Sequence, residues 1–261
     1  MKKIKFLPVF FILFAIAFTS CDTEPVDSNL YDYVPVDNGG DDGGDDDGGG
    51  GDDGGTSSGD YWPMAVNNQW TYREDGVVSD PMKIISTQTV DGNTYYRVNR
   101  SFVNSGTDDL TGDAVMLLRK TNGSYNTRIS VTIDAEEGMP GLSVAPYEFT
   151  MFKDNLDAGQ TWTQTVDQVT SYDMEGIPDV TTTLNFTGTI MEKNISLEVE
   201  GHTYTNVIKS KLVMQIETMG ISSTITTYYW FAKDVGPIKT ENDLGNLGED
   251  YDVTLLSYTL N

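Results

Sequence analysis

Across 261 residues there is one cysteine, Cys21, and one histidine, His202. A single cysteine rules out an intrachain disulfide, so the fold must be held by its core. One histidine and one cysteine supply neither a His/Cys zinc set nor a Cys–His nucleophile pair, and no metal or cofactor is expected. His202 follows a Glu-Gly turn at the start of an alternating segment and reads as structural or solvent-exposed. Basic residues are scarce, 16 Lys and Arg against 40 Asp and Glu, for a formal net charge of −24. A chain so acidic is repelled by the phosphate backbone, which excludes nucleic acid as a partner. P-loop, zinc-helix and dinucleotide fingerprints are absent. Ser143, in Gly141–Ala145, lacks the second glycine of a G-x-S-x-G elbow.

Long apolar runs are missing as well. The longest, from Phe6 to Phe18, is interrupted by Pro8 and falls short of the roughly 20 apolar residues that span a bilayer as a helix. It follows Lys2, Lys3 and Lys5, the charge-then-apolar order of a secretory signal peptide. Its end, Phe18-Thr19-Ser20-Cys21, resembles a bacterial lipobox, with Phe18 where leucine is usual. That resemblance implies cleavage before Cys21 and acylation of its sulfur. Several acyl chains, each buried methylene contributing about 0.8 kcal/mol, hold a domain at a membrane with no second anchor. Asp22 alone resembles the inner-membrane retention signal of enterobacterial lipoproteins. Asp22 with Glu24 resembles the surface-export signal of Bacteroidetes lipoproteins, and the long acidic tract behind them fits the second pattern better. The expected location is the outer membrane, its periplasmic and surface faces both left open.

Removing residues 1–20 takes away three lysines and no acids, leaving 13 basic against 40 acidic residues. Residues 21–60 then read as a lipidated N-terminus and a disordered tether. From Asp37 to Asp60 only Asp, Gly, Asn, Ser and Thr occur, a composition that cannot bury enough apolar surface to offset the entropy of ordering. As a flexible coil this tract averages roughly 25 to 30 Å end to end. Its aspartates offer oxygen ligands, yet neither an EF-hand order nor a calcium β-roll repeat is present, so a solvated spacer is expected.

Residues 61–261 form one expected domain, large enough to bury about 70 % of the unfolded chain's surface. Alternation of period two dominates it. In Val207–Glu217, Ile208, Leu212, Met214 and Ile216 fall on one side and Lys209, Lys211, Gln215 and Glu217 on the other. Thr94–Val103, Ser124–Ile133 and Val180–Ile190 are similarly one-sided, the signature of an antiparallel sheet with one face on a core. Hairpin turns are legible at Asp91-Gly92, Asn122-Gly123, Glu200-Gly201 and Met219-Gly220. Ten to twelve strands are expected, with at most a short helix near Leu244–Asp250 or after Asp154. Tyr228-Tyr229-Trp230-Phe231 is aromatic on both faces and so needs cover on both.

Three stretches together resemble one known pattern. Tyr61-Trp62-Pro63-Met64-Ala65-Val66-Asn67-Asn68-Gln69-Trp70-Thr71-Tyr72 is similar to a "YxPLxVGNxWxY" opening. Val199–Ile208 is similar to a "VxGxxYxNVIK" hairpin, and Tyr228–Lys239 to an "xYWYAKGVGLVK" close. This is the pattern of the TapB-like family of exported bacterial proteins of unknown function. Asn67 and Asp234 stand where that family usually has glycine. The resemblance implies an all-β fold: a strongly curved antiparallel sheet, a half-barrel like the lipoprotein carrier LolA and its receptor LolB, with few or no helices.

The expected function is therefore a lipid-anchored, non-enzymatic binding domain of the cell envelope. Its partners would be the membrane, through the N-terminal lipid, and an apolar ligand or an envelope protein on the curved sheet. Tyr229, Phe231 and Trp230 are the candidate ligand-groove residues. One alternative is a structural or adhesion module without a groove, making contacts through loops Asn104–Gly112 and Ala135–Pro146. Another is a carboxylate-dependent hydrolase drawing on Asp108 with Asp109, Glu136 with Glu137, or Glu148, which would need two carboxyls about 5 to 9 Å apart.

Overall fold

In the computed structural model the described residues are 56–100, 112–135 and 140–261. They form β1 (Gln69–Glu74), β2 (Val77–Val78), β3 (Met82–Val90), β4 (Asn93–Val98), β5 (Gly112–Thr121), β6 (Ser124–Ile133) and β7 (Leu142–Lys153). These are followed by β8 (Thr161–Tyr172), β9 (Val180–Val199), β10 (His202–Thr218), β11 (Ile221–Ala232), β12 (Gly236–Asp243) and β13 (Tyr251–Thr259). Among the described residues of the second half the helical content is one 3-10 turn, Gly245–Leu247, where the short helix near Leu244 was expected.

From β3 to β13 every strand pairs antiparallel with the next in sequence, and β1 pairs with both β3 and β13. The curved sheet expected from the alternation therefore closes on itself, as a ring of twelve strands with β2 as a short arm on β1. Closure removes the open edges that a half-barrel would leave for aggregation. The four hairpin dipeptides all have positive φ at both residues, for example Asn122 at 47° and Gly123 at 80°. That is the type I′ geometry whose twist matches the flanking strands.

In-register neighbours share a face of the sheet. Ile208, Ser210 and Leu212 of β10 lie opposite Phe231, Tyr229 and Thr227 of β11 and point inward. Lys209 and Lys211 lie opposite Trp230 and Tyr228 and point outward. Membrane barrels carry an apolar band outside and polar groups within. Here the outward positions of β10 include lysines, Gln215 and Glu217 while the inside is aromatic, which is the arrangement of a water-surrounded barrel.

A round barrel of twelve strands would be wide enough to enclose a space. This one is flattened, with β7 coming within 8 Å (Cα–Cα) of both β9 and β10. Rings from opposite walls meet in the middle. Phe152 of β7 stacks on Phe231 of β11 with centroids 4.3 Å apart, and Phe149 of β7 stacks on Phe186 of β9 at 4.5 Å. Tyr61 and Trp62, from the segment before β1, plug one end against Phe152 and Phe231. Trp70 and Tyr72 donate hydrogen bonds to the carbonyls of Val235 (2.7 Å) and Pro237 (3.0 Å), pinning β1 beside the β11–β12 turn.

The wall has one seam. β7 pairs with β8 only over Leu142–Val144. Beyond it the side chains of β8 replace the missing ladder. Gln164 accepts from the Thr150 N–H (2.8 Å) and donates to the Glu148 carbonyl (3.2 Å), and Trp162 donates to the Thr150 carbonyl (3.2 Å). Trp162 lies flat over Gly188 of β9, where any Cβ would collide with its ring.

Candidate functional site

The three candidate groove residues do not come together. Phe231 is fully buried inside, stacked between Phe152 and Tyr229 (5.7 Å). Tyr229 points the same way, and burial raises its phenol pKa well above the usual value. The space a groove would need along this strand is filled by the protein's own rings. Trp230 points outward, as the alternation requires, and is buried there by a different device.

On the outer face of β10–β12, Trp230 and Tyr228 lie 6.5 Å apart between lysines. The ammonium groups of Lys209 and Lys239 sit 4.9 and 5.0 Å from the Trp230 ring centroid, and those of Lys209 and Lys211 lie 5.5 and 6.0 Å from that of Tyr228. The register explains the grouping. Lys209 is directly across from Trp230, which is directly across from Lys239, and Lys211 is across from Tyr228. Lysine stems flank the rings with their ammonium heads drawn to the ring quadrupole, and the β9–β10 hairpin, whose Glu200 reaches Thr254 beside Lys239, crosses the same wall. Lys239 is paired with Glu241 at 2.6 Å. Lys209 and Lys211 make no ion pair within 4.0 Å among the described residues, although Glu192 lies opposite Lys209 on β9. Lys83, Lys193 and Lys233 likewise make no ion pair among the described residues, so what sets Lys209 and Lys211 apart is their place beside the two rings.

The rim of the barrel nearest this patch holds the entry of the chain. Asp154, fully buried, accepts hydrogen bonds from the Ser57 hydroxyl (2.9 Å), the Ser58 N–H (3.2 Å) and the Tyr125 hydroxyl (3.1 Å), with the Lys120 ammonium 3.7 Å away. Lys120 also donates to the Gly59 carbonyl (2.5 Å), and Asp60 accepts from the Asp234 N–H (2.6 Å). Lys193 donates to the carbonyls of Asp154 and Leu156. Residues 57–60, the last of the tether stretch, are thus tied to the barrel. Burial raises the Tyr125 phenol pKa far above the usual value.

The acid candidates for hydrolysis are occupied or lie elsewhere. Glu148, on the outer face, accepts from Arg119 (2.7 Å) and from the Tyr95 hydroxyl. Asp108, Asp109, Glu136 and Glu137 lie outside the described residues, as do Cys21, the tether acids before Thr56, most of the Asn104–Gly112 loop and residues 136–139 of the Ala135–Pro146 loop, whose end from Leu142 is part of β7. Ser143 and His202 are exposed on β7 and β10. No group of three or more His, Cys, Asp or Glu able to hold a metal occurs among the described residues. An open cleft of ≈ 420 Å³ lies between the β1–β2 turn and the start of β13, lined by Arg73, Asp75, Asp250 and Asp252 among others. Beside it the β9–β10 hairpin outruns β11 and folds across the outer wall, so that Glu200 accepts from Arg73 (3.1 Å) and Thr254 (2.8 Å). Those bonds hold its carboxyl pKa below the usual range.

Periodicity placed Trp230 and the lysines on opposite sides of no boundary: the one-sided pattern of β10 and the aromatic run of β11 were both visible. What alternation along single strands lacked was the register that sets Lys209, Trp230 and Lys239 in one row.

No protein-family model matches the chain and no curated protein matches it, so the TapB-like resemblance rests on its three motifs. Among solved structures, the chain is similar to a candidate lipoprotein from Parabacteroides distasonis ATCC 8503, at 9% identity and a TM-score of 0.44 over 78% of this chain and 99% of that one. It is also similar to a candidate exported protein with YmcC-like fold from Bacteroides fragilis NCTC 9343, at 11% identity and a TM-score of 0.40 over 76% and 98%.

Proposed function

We propose that this is a lipid-anchored, non-enzymatic module of the cell envelope that meets its partners on the outside of the barrel. The observation that carries this reading is the ring stack joining the two walls, Phe152 on Phe231 and Phe149 on Phe186, which leaves the middle of the barrel to the protein itself. The anchor is Cys21, read from the lipobox, with the barrel held off the outer membrane by the acidic tract that follows. Of the acids considered for hydrolysis, Glu148 is engaged by Arg119 and Tyr95, an arrangement suited to bracing a wall rather than to moving a proton.

A second reading keeps an apolar ligand, at the part of the interior away from the Tyr61–Trp62 plug. Tyr147, Phe149, Met214 and Ile216 are only half-buried there.

Titration of the mature chain carrying Cys21→Ser with a fluorescent fatty acid separates the two. The outside-surface reading expects no saturable binding. One-to-one binding at micromolar concentration, lost in Phe149→Ala, would replace it with the ligand reading. For the anchor, metabolic labelling with a fatty acid is expected to mark the wild type and not Cys21→Ala, and equal label in both would remove the lipoprotein.

A further inference from the structure

Several lysines of this barrel lie where the acidic tract joins it. Lys120, Lys193 and Lys233 lie at the rim where residues 57–60 are tied down: Lys120 and Lys193 bond to Gly59 and to Asp154, and the Lys233 side chain lies against Gly59. Lys209, Lys211 and Lys239 stand on the adjoining wall. Trp230 precedes the turn residue Asp234 by four positions, which at about 3.3 Å per residue puts the Trp230 row roughly 13 Å below that rim. Asp234 itself bonds to Asp60, so the chain leaves the barrel at the head of the lysine row.

We infer that the chain's own aspartate tract, Asp37–Gly55, docks on the Lys209–Lys211–Lys239 face. Charge complementarity and position both favour this occupant over any free partner. The tract carries Asp41, Asp42, Asp45, Asp46, Asp47, Asp52 and Asp53, and has no basic residue. It is joined to the barrel beside the patch, and as a coil of about 20 Å or more it reaches every lysine of the row. A covalently joined segment of this length acts at an effective concentration in the millimolar range, ahead of most free polyanions. The carboxylates already on this face, Glu192 and Glu241, leave Lys209 and Lys211 without an ion pair, so two cations remain for the tract. Docking would lay the tether along one wall and turn that wall toward the anchor, so the opposite wall, with Arg97, Arg119 and Arg128, would face outward. The inference rests on residues 21–60 being a tether and is independent of what the barrel interior holds.

The test uses the mature chain with Cys21→Ser and a single spin label at Asp47→Cys, and reads paramagnetic broadening of backbone amides. At ~50 mM NaCl, broadening is expected at Lys209, Lys211, Trp230 and Lys239 and not at Arg97, Arg119 or Glu217. It should fall roughly tenfold at ~1 M NaCl, where the Debye length is about 3 Å. The same loss is expected in Lys209→Glu with Lys211→Glu, and in a chain whose tract aspartates are changed to serine, which leaves the barrel sequence untouched if the lysine variant does not fold. Broadening that is absent at low salt, uniform over the surface, or insensitive to salt and to both variants would overturn the inference. So would a tract that leaves the face unmarked while an added acidic peptide marks it, since the occupant would then be an external partner.

Discussion

Phe152 and Phe231 lie nearly parallel, 18° apart with centroids 4.3 Å from each other, although one belongs to β7 and the other to β11. Each fills the space that a hollow barrel would leave beside the other. Removing one ring opens a cavity that the closed wall cannot collapse into, so Phe231→Ala is expected to cost about 3 to 5 kcal/mol. Trp230, its neighbour in sequence, lies on the outer wall between lysine stems that can settle into the gap, and Trp230→Ala should cost less, about 3 kcal/mol at the lower end of the same range. Urea denaturation of both variants measures the difference. A larger loss at Trp230 would contradict the interior assignment.

Gly188 has no room for a side chain. A Cβ there would enter the Trp162 ring, and Trp162 also supplies the hydrogen bond to the Thr150 carbonyl. Gly188→Ala should therefore displace the ring and open the seam, at about 1 to 3 kcal/mol. The measurement is the denaturation midpoint, with Trp162 as a local fluorescence probe in a chain where the other tryptophans are accounted for by single Trp→Phe variants. An unchanged midpoint would show that the seam does not depend on that contact.

Shortening the tether has two expected outcomes, set by Asp154. Deleting 37–55 should leave thermal stability unchanged, because the ties to the barrel begin at Ser57. Extending the deletion through Gly59 strips the donors Ser57 and Ser58 from a fully buried carboxylate, and each unsatisfied group costs about 1 to 3 kcal/mol. Calorimetry should then show a melting temperature lower by several degrees, since about 1 kcal/mol moves a domain of this size by about 2 to 4 °C. Equal melting temperatures for the two deletions would show that the knot contributes nothing.

Alkaline pH should destabilise the barrel through phenols whose ionisation is opposed by the apolar groups packed around them. Burial raises the pKa of Tyr147 to about 12 and raises those of Tyr72, Tyr125 and Tyr229 further. A group whose folded pKa lies above its unfolded one contributes its full stability below the unfolded value, 10.0 for tyrosine, and loses it as pH rises through the folded value. Stability should be flat up to about pH 9 and fall between about 10 and 12 for Tyr147, with tyrosinate absorbance appearing together with unfolding. Full tyrosine ionisation near pH 10 in a chain still folded would contradict the burial of these rings.

Much of the wall was legible in single strands. Ser124–Ile133 and the two faces of Val207–Glu217 appear as the alternation implies, because their partners lie one hairpin away and the turn dipeptides set the register. Closure was not legible. Pairing Trp70 with Tyr258 joins opposite ends of the domain, and β1 carries a bulge at Thr71/Tyr72 that no local pattern announces. The same holds for the candidate site. Alternation separates Trp230 from Phe231, but only the flattening of the barrel decides that Phe231 meets Phe152 instead of a ligand.

The joining of β1 to β13 has a consequence for how the protein is made. A polypeptide synthesised N-terminus first delivers Gln69–Glu74 early and the nine residues of Tyr251–Thr259 last. Until those nine arrive, the first strand has no partner on one side, and the nascent sheet shows two raw edges. Such high contact order makes folding slow, on the millisecond-to-second scale or beyond. The ring can close only after synthesis has passed Thr259, so until then every part of the sheet made so far is open to strands from outside it.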